Sequence, residues 1–264
     1  MIERDEQLRF ELICREIGAA ELSGEGIGTY SEKRMHRTLK LFFCPDESCH
    51  EVRIRPDGSI GEVGGSGRGG YIADICHDGD IIEIQTGGFY SLKPKLRFYL
   101  EKTDLEITVV HPLAAVKYTS WISPEDGSVT SRRRSPKREC LHDALPELFW
   151  LSDMLCENRL HFCFPMMSVE EFRLLDGWSR DKKRGSNRYE RIPTELIDII
   201  WLDTDNLPSL LPEDLPNEFT AAEFSRIIKF KGRKLYNVLA LFCAVGVIQK
   251  GEKKGRAYVY RKCM

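Results

Sequence analysis

The sequence predicts an α+β protein in three regions: a mixed core over residues 1–118, a basic connection and helical middle region over 119–212, and a small basic unit over 213–264. Three observations carry this reading. The first region gives the order helix, strand, strand, strand, helix, strand. Apolar residues make up 42% and charged residues 30% of the 264, which rules out a wholly disordered, collagen-like or coiled-coil chain. Charge is segregated: Asn217 to Met264 holds eleven Lys or Arg against three Asp or Glu, whereas Ile192 to Pro216 holds six acidic residues and no basic one.

Residues 3–18 set Leu8, Leu12 and Ile13 among charges, a helical stripe ended by Gly18. A second helix is expected over Tyr30 to Phe43, stopped by Pro45, and a short strand over Cys49 to Arg55 before the turn signal Pro56-Asp57-Gly58. Gly61 to Gly70 contains six glycines and reads as a loop. It lacks the Gly-Lys-Ser/Thr ending of a phosphate-binding loop, so no nucleotide cofactor is expected.

Tyr71 to His77 and Asp80 to Thr86 are β-rich runs joined by Asp78-Gly79, a dipeptide suited to a type I′ hairpin turn. Pro94 sits in the first turn of a helix over Tyr90 to Lys102. Leu105 to Val110 reads as a buried strand closed by His111-Pro112. Residues 119–140 read as a polar connection carrying Arg132, Arg133, Arg134, Lys137 and Arg138; 141–203 reads as helical, broken by a basic loop from Arg180 to Arg191. Pro208, Pro212 and Pro216 suggest a linker.

The hairpin turn fixes a register. His77 faces Asp80, Cys76 faces Ile81, Ile75 faces Ile82, and Asp74 therefore faces Glu83. Opposed residues have Cβ atoms about 4.5–5.5 Å apart, where like charges are destabilising. A divalent metal resolves the conflict, because Mg²⁺ takes carboxylate oxygens and water. Gln85 shares the face of Glu83, while Ile82 and Ile84 point the other way. The competing reading is a solvated pair on an open hairpin face.

With Asp74, the spaced Glu83-Ile84-Gln85 and the order of elements, residues 27–113 resemble the core of the PD-(D/E)XK, or restriction-endonuclease-like, nucleases. The resemblance implies a metal-dependent nuclease using Mg²⁺ or Mn²⁺. Asp74 and Glu83 would be catalytic acids and metal ligands, and Glu32 a further metal ligand on the first helix. Gln85 stands where the family more often has Lys, so Lys93 or Lys95 on the following helix would supply the cation. Without a cation there, the chain would be a DNA-binding regulator with an inactive nuclease fold.

Thr220-Ala221-Ala222-Glu223 is a capping box opening a helix through Phe230, and Arg233 to Ala244 forms a second helix after the Lys231-Gly232 turn. A strand from Gly246, a basic turn at Gly251 to Gly255 and a return over Ala257 to Tyr260 complete the unit. It resembles a winged helix-turn-helix domain. The resemblance implies DNA contacts from Arg233, Lys234 and Asn237 on the helix and from Lys253, Lys254 and Arg256 on the wing.

The longest apolar run, Leu239 to Ile248, is ten residues, against about 18 for a membrane span. The charged start, Met1 to Glu6, is unlike a signal peptide, and nine cysteines without framework spacing suit a reduced, cytoplasmic chain. Cys44, Cys49 and His50 have the residue types of a zinc site but no second pair at zinc spacing, so structural zinc is not the expected reading. DNA is the expected partner, no membrane is, and a homodimer stays open.

Overall fold

The computed structural model describes residues 2–22, 34–64, 69–175 and 187–263. Helices α1 (Arg4–Leu22) and α2 (Arg34–Phe43) lead into β1 (His50–Ile54) and β2 (Ile60–Val63), joined across the expected turn. In that turn Gly58 takes φ +86° and the Asp57 carboxylate accepts the Ser59 N–H at 3.0 Å. The glycine-rich stretch therefore begins as a strand, and 65–68 lie outside the described residues.

β3 (Tyr71–His77) and β4 (Asp80–Ile84) pair antiparallel with Ile75 opposite Ile82, Cys76 opposite Ile81 and His77 opposite Asp80. Asp78 and Gly79 have φ of +49° and +90°, as a type I′ turn demands. Helix α3 (Lys93–Lys102) follows, with Pro94 in its first turn, and β5 (Glu106–Val110) returns parallel to β4. Arg159 holds the far end of α3: its guanidinium donates to the carbonyls of Leu100, Thr103 and Leu105 at 2.8–3.1 Å.

Beyond β5 the expected helical middle region is corrected to strand. β6 (Leu113–Ile122) runs on into the stretch expected as a polar connection from 119, β7 (Arg133–Arg134) pairs with it, and only α4 (Leu141–Leu148) and short 3-10 turns are helical before β8 (Leu160–Leu174) and β9 (Asn187–Leu202). β8 is the axis of the nine-stranded sheet. One edge meets β5 and then β6, both parallel, and the other meets the full length of β9, antiparallel. The offset that pairs Val110 with Cys163 also pairs Leu113 with Met166, so Pro112 stands opposite Pro165. Neither has an N–H to give, and the ladder breaks there. Most of β8 from Leu160 to Val169 is buried on both faces, so its sequence lacks the polar alternation that marks a half-exposed strand.

Apolar side chains fill both faces of the sheet. On one, Phe10, Met35, Leu39 and Phe42 of α1 and α2 pack on Ile75, Ile84 and Val110. On the other, Leu96 and Tyr99 of α3 and Leu145 and Leu148 of α4 cover Ile81, Ile107 and Val109. The second layer runs on without interruption through Leu207, Leu210 and Leu215 into the C-terminal unit. The proline-rich stretch is thus packed, with Pro212 buried as well, rather than a free linker.

In that unit β10 (Glu218–Thr220), α5 (Ala221–Ile228), α6 (Gly232–Ala244), β11 (Ile248–Lys254) and β12 (Ala257–Lys262) form a three-stranded antiparallel sheet backed by two helices. Both halves of the capping box are made: Thr220 Oγ1 accepts the Glu223 N–H, and Glu223 Oε2 accepts the Thr220 N–H at 2.7 Å. Lys229, in the left-handed conformation at φ +61°, ends α5 two residues before its expected limit. Among the described residues no helix is long and apolar enough to cross a membrane.

Candidate functional site: an opposed acid pair on the central sheet

The regular pairing of β3 and β4 ends at Ile75 and Ile82, one step short of Asp74 and Glu83. There the strands part, and the Asp74 carboxylate enters the gap: its Oδ2 accepts the Ile84 N–H at 2.8 Å. Across β3 the ladder sets Glu51 opposite Asp74, and Glu51 takes φ +54°, an unfavourable backbone for a residue with a Cβ. His36, on α2, donates from Nε2 to the same Asp74 oxygen at 3.2 Å. Glu32, the expected further ligand, lies outside the described residues.

Glu83 is not on an open hairpin face. Its side chain is 3% exposed, and α3 lies over it. Lys95 Nζ is 2.5 Å from Glu83 Oε2, and the Tyr99 hydroxyl donates to Oε1 at 3.0 Å. Lys95 and Tyr99 are one helical turn apart, hence on one face of α3. Lys93, the other candidate cation, turns away to Asp153 at 2.6 Å. Gln85 continues the backbone ladder, but its side-chain amide donates to Gly88 O at 2.7 Å, and its carbonyl accepts from His111 Nδ1 at 2.6 Å.

The two acids titrate apart. Burial and the Asp74 charge push Glu83 up to about 7, against the pull of Lys95 and Tyr99. Burial also works to raise Asp74, but the His36 hydrogen bond, the nearby charges of His36 and Lys95 and the Ile84 N–H outweigh it and leave its pKa lowered. Burial and the neighbouring Glu83 carboxylate push the Tyr99 phenol far up, so Tyr99 stays a hydrogen-bond donor. An ionised acid beside one poised near neutrality is a proton-transfer arrangement. Both ligand types are hard oxygen, the chemistry of Mg²⁺ or Mn²⁺, and a bound cation would relieve their repulsion. Among the described residues no third acid, cysteine or histidine converges with them into a ligand trio.

A cavity of about 210 Å³ is lined among others by Met35, Thr86, Pro112, Met167, Arg188 and Arg191. Asp74, Glu83 and Lys95 are not among its lining residues. Its basic wall rests on Glu171, fully buried on β8, whose carboxylate meets Arg173 at 2.6 Å, Arg191 at 2.9 Å, Arg188 at 3.5 Å and Lys117 at 3.7 Å. Those partners overcome the effect of burial and hold Glu171 down to about 2.

The other expected contacts are dispersed. Arg132, Arg133, Arg134, Lys137 and Arg138 are all exposed, and of them Arg133 and Arg134 pair with β6 as β7. Arg132 stacks 3.3 Å over the Tyr118 ring and pairs with Glu170, while Lys137 reaches Glu139 and Asp143. Arg233 lies 5.9 Å from the Trp150 ring, at the seam with the middle region. Lys234 is exposed and Asn237 half-buried on α6; Lys253, Lys254 and Arg256 are exposed at the β11–β12 turn. Tyr99 was missed from sequence; its spacing of four from Lys95 was the available signal.

The domain of unknown function (DUF8091) matches residues 33–203, from the start of α2 to the end of β9. An uncharacterized protein of Treponema pallidum (strain Nichols) is 27% identical over 244 residues, covering 89% of this chain and 87% of that protein. No solved structure matches the chain.

Proposed function

The chain belongs to the DUF8091 family, and we propose that its sheet carries the catalytic centre of a metal-dependent nuclease that hydrolyses DNA phosphodiester bonds. The observation that carries the reading is the Asp74–Glu83 pair with the Lys95 ammonium on Glu83. The order α2, β1, β3, β4, α3, β5 supports a restriction-endonuclease-like core, with β2 as a short addition. β10 to β12 with α5 and α6 support a winged helix-turn-helix unit.

Hydrolysis needs a deprotonated water and neutralised charge on the phosphorus. Mg²⁺ or Mn²⁺, held by the Asp74 and Glu83 carboxylates, would supply Lewis acidity toward a phosphoryl oxygen. Glu83 is raised to about 7 without a bound cation, and the cation would hold it ionised. Lys95 keeps Glu83 oriented and brings positive charge to the phosphate. It takes the part for which Gln85, turned onto Gly88, has no charge to offer. His36 and Tyr99 position Asp74 and Glu83. Arg188, Arg191 and the wing would add contacts to the DNA backbone.

Incubating the full chain with supercoiled plasmid and Mg²⁺ or Mn²⁺ tests this. Nicked or linear product from wild type, absent with Glu83→Gln, is the expected result. DNA retained without product by both proteins favours the non-catalytic regulator.

A further inference from the structure

The end of α2, the turn after it and the tip of the β3–β4 hairpin bring Cys44, Cys49 and His77 together. Their sulfur and ring-nitrogen atoms all lie within 4.8 Å of one another, the one such trio of His, Cys, Asp or Glu among the described residues. We propose that Cys44, Cys49 and His77 form a structural zinc site.

Geometry and chemistry agree on the ion. Zn–S bonds of about 2.3 Å and Zn–N bonds of about 2.0 Å in a tetrahedron put ligand atoms roughly 3.5 Å apart. Cys49 Sγ is 3.3 Å from His77 Nδ1. Two thiolates and an imidazole select zinc over the hard cations suited to Asp74 and Glu83. The outer contacts fit as well. His77 Nε2 faces Asp78 Oδ2 at 3.0 Å, which leaves Nδ1 as the ligand atom, the usual carboxylate–imidazole support of a zinc ligand. His50, the histidine adjacent to Cys49 in sequence, is turned elsewhere: its Nε2 donates to Cys44 O at 2.8 Å.

As each Zn–S bond forms, the thiol proton leaves to solvent, so binding weakens as pH falls. The site would clamp α2 to β3. α2 carries His36 and β3 carries Asp74, so the zinc would hold in place the contact that orients Asp74.

The test uses the full chain purified in reductant, with metal content by mass spectrometry and Co²⁺ exchanged for zinc. One zinc per chain is expected, and Co²⁺ should give thiolate-to-cobalt charge-transfer bands and the d–d bands of a tetrahedral site. Cys49→Ser and His77→Ala should each weaken zinc at least about tenfold, and Asp78→Asn by about 10- to 100-fold. The His77 side chain is 52% exposed, so His77→Ala keeps the test open if Cys44 variants do not fold. Zinc should raise the melting temperature of wild type and not of His77→Ala. Substoichiometric zinc with no tetrahedral cobalt spectrum would overturn the proposal. So would a Cys44–Cys49 disulfide whose reduced form takes up no Co²⁺. The readouts are independent of DNA cleavage, so this site and the nuclease reading fail separately.

Discussion

Lys95 and Glu83 meet at 2.5 Å across the boundary between helix α3 and strand β4, the carboxylate 3% exposed and the lysine side chain 19% exposed. The pair sits beside a second carboxylate, Asp74, and Glu83 still titrates near 7. One lysine does not fully compensate two acids in a buried place, and that imbalance sets the behaviour of the site.

Stability should fall as pH rises from about 5 to 8. Glu83 is raised in the folded state, from 4.5 to about 7, so the folded chain holds a proton that the unfolded chain has already released. The full benefit is present below the unfolded value and is lost as pH climbs through the folded one. The shift corresponds to a change on the order of 3 kcal/mol. Glu83→Gln should flatten this slope and exceed wild type at pH 8, read by urea unfolding.

Lys95→Met should cost about 3 kcal/mol at pH 8, because it strands a buried carboxylate next to Asp74. At pH 5 the loss should shrink, since Glu83 then takes a proton. The double variant with Glu83→Gln should recover most of it. Equal costs at both pH values would mean that the lysine contributes packing alone.

Glu171 makes the opposite pH signature. Held down to about 2, it stabilises above pH 4.5 and loses that contribution as pH falls toward 2. Glu171→Gln should cost about 3 kcal/mol at pH 7 by leaving Arg173, Arg191 and Lys117 without their common partner. Acid melting curves of the two proteins should converge near pH 2.

Lys253→Ala, Lys254→Ala and Arg256→Ala together should weaken duplex DNA binding across sequences. The slope of log affinity against log salt should flatten by up to about 3. Fluorescence anisotropy at several salt concentrations measures it, and an unchanged slope removes the wing as a phosphate contact.

The hairpin was legible because a two-residue turn admits one register: Asp78 and Gly79 both need positive φ, and the pairs from His77–Asp80 to Ile75–Ile82 follow by counting. The capping box at Thr220 was legible for a similar reason, since four adjacent residues define it. β8 was not. Phe162, Cys163, Phe164, Met167 and Val169 are buried with no polar alternation, because the strand is covered on both faces, and such a run reads equally as a buried helix. Tyr99 had one signal, its spacing of four from Lys95. The His77 partner of Cys44 and Cys49 depends on which face of an element meets which neighbour, and spacing along the chain does not carry that.

The most direct test of the central claim is melting temperature with and without Mn²⁺ for wild type and Glu83→Gln, in protein already saturated with zinc. If Asp74 and Glu83 share a divalent cation, Mn²⁺ should raise the melting temperature of wild type and leave Glu83→Gln unmoved. A wild-type melting temperature indifferent to Mn²⁺, or an equal rise in both proteins, would contradict the claim.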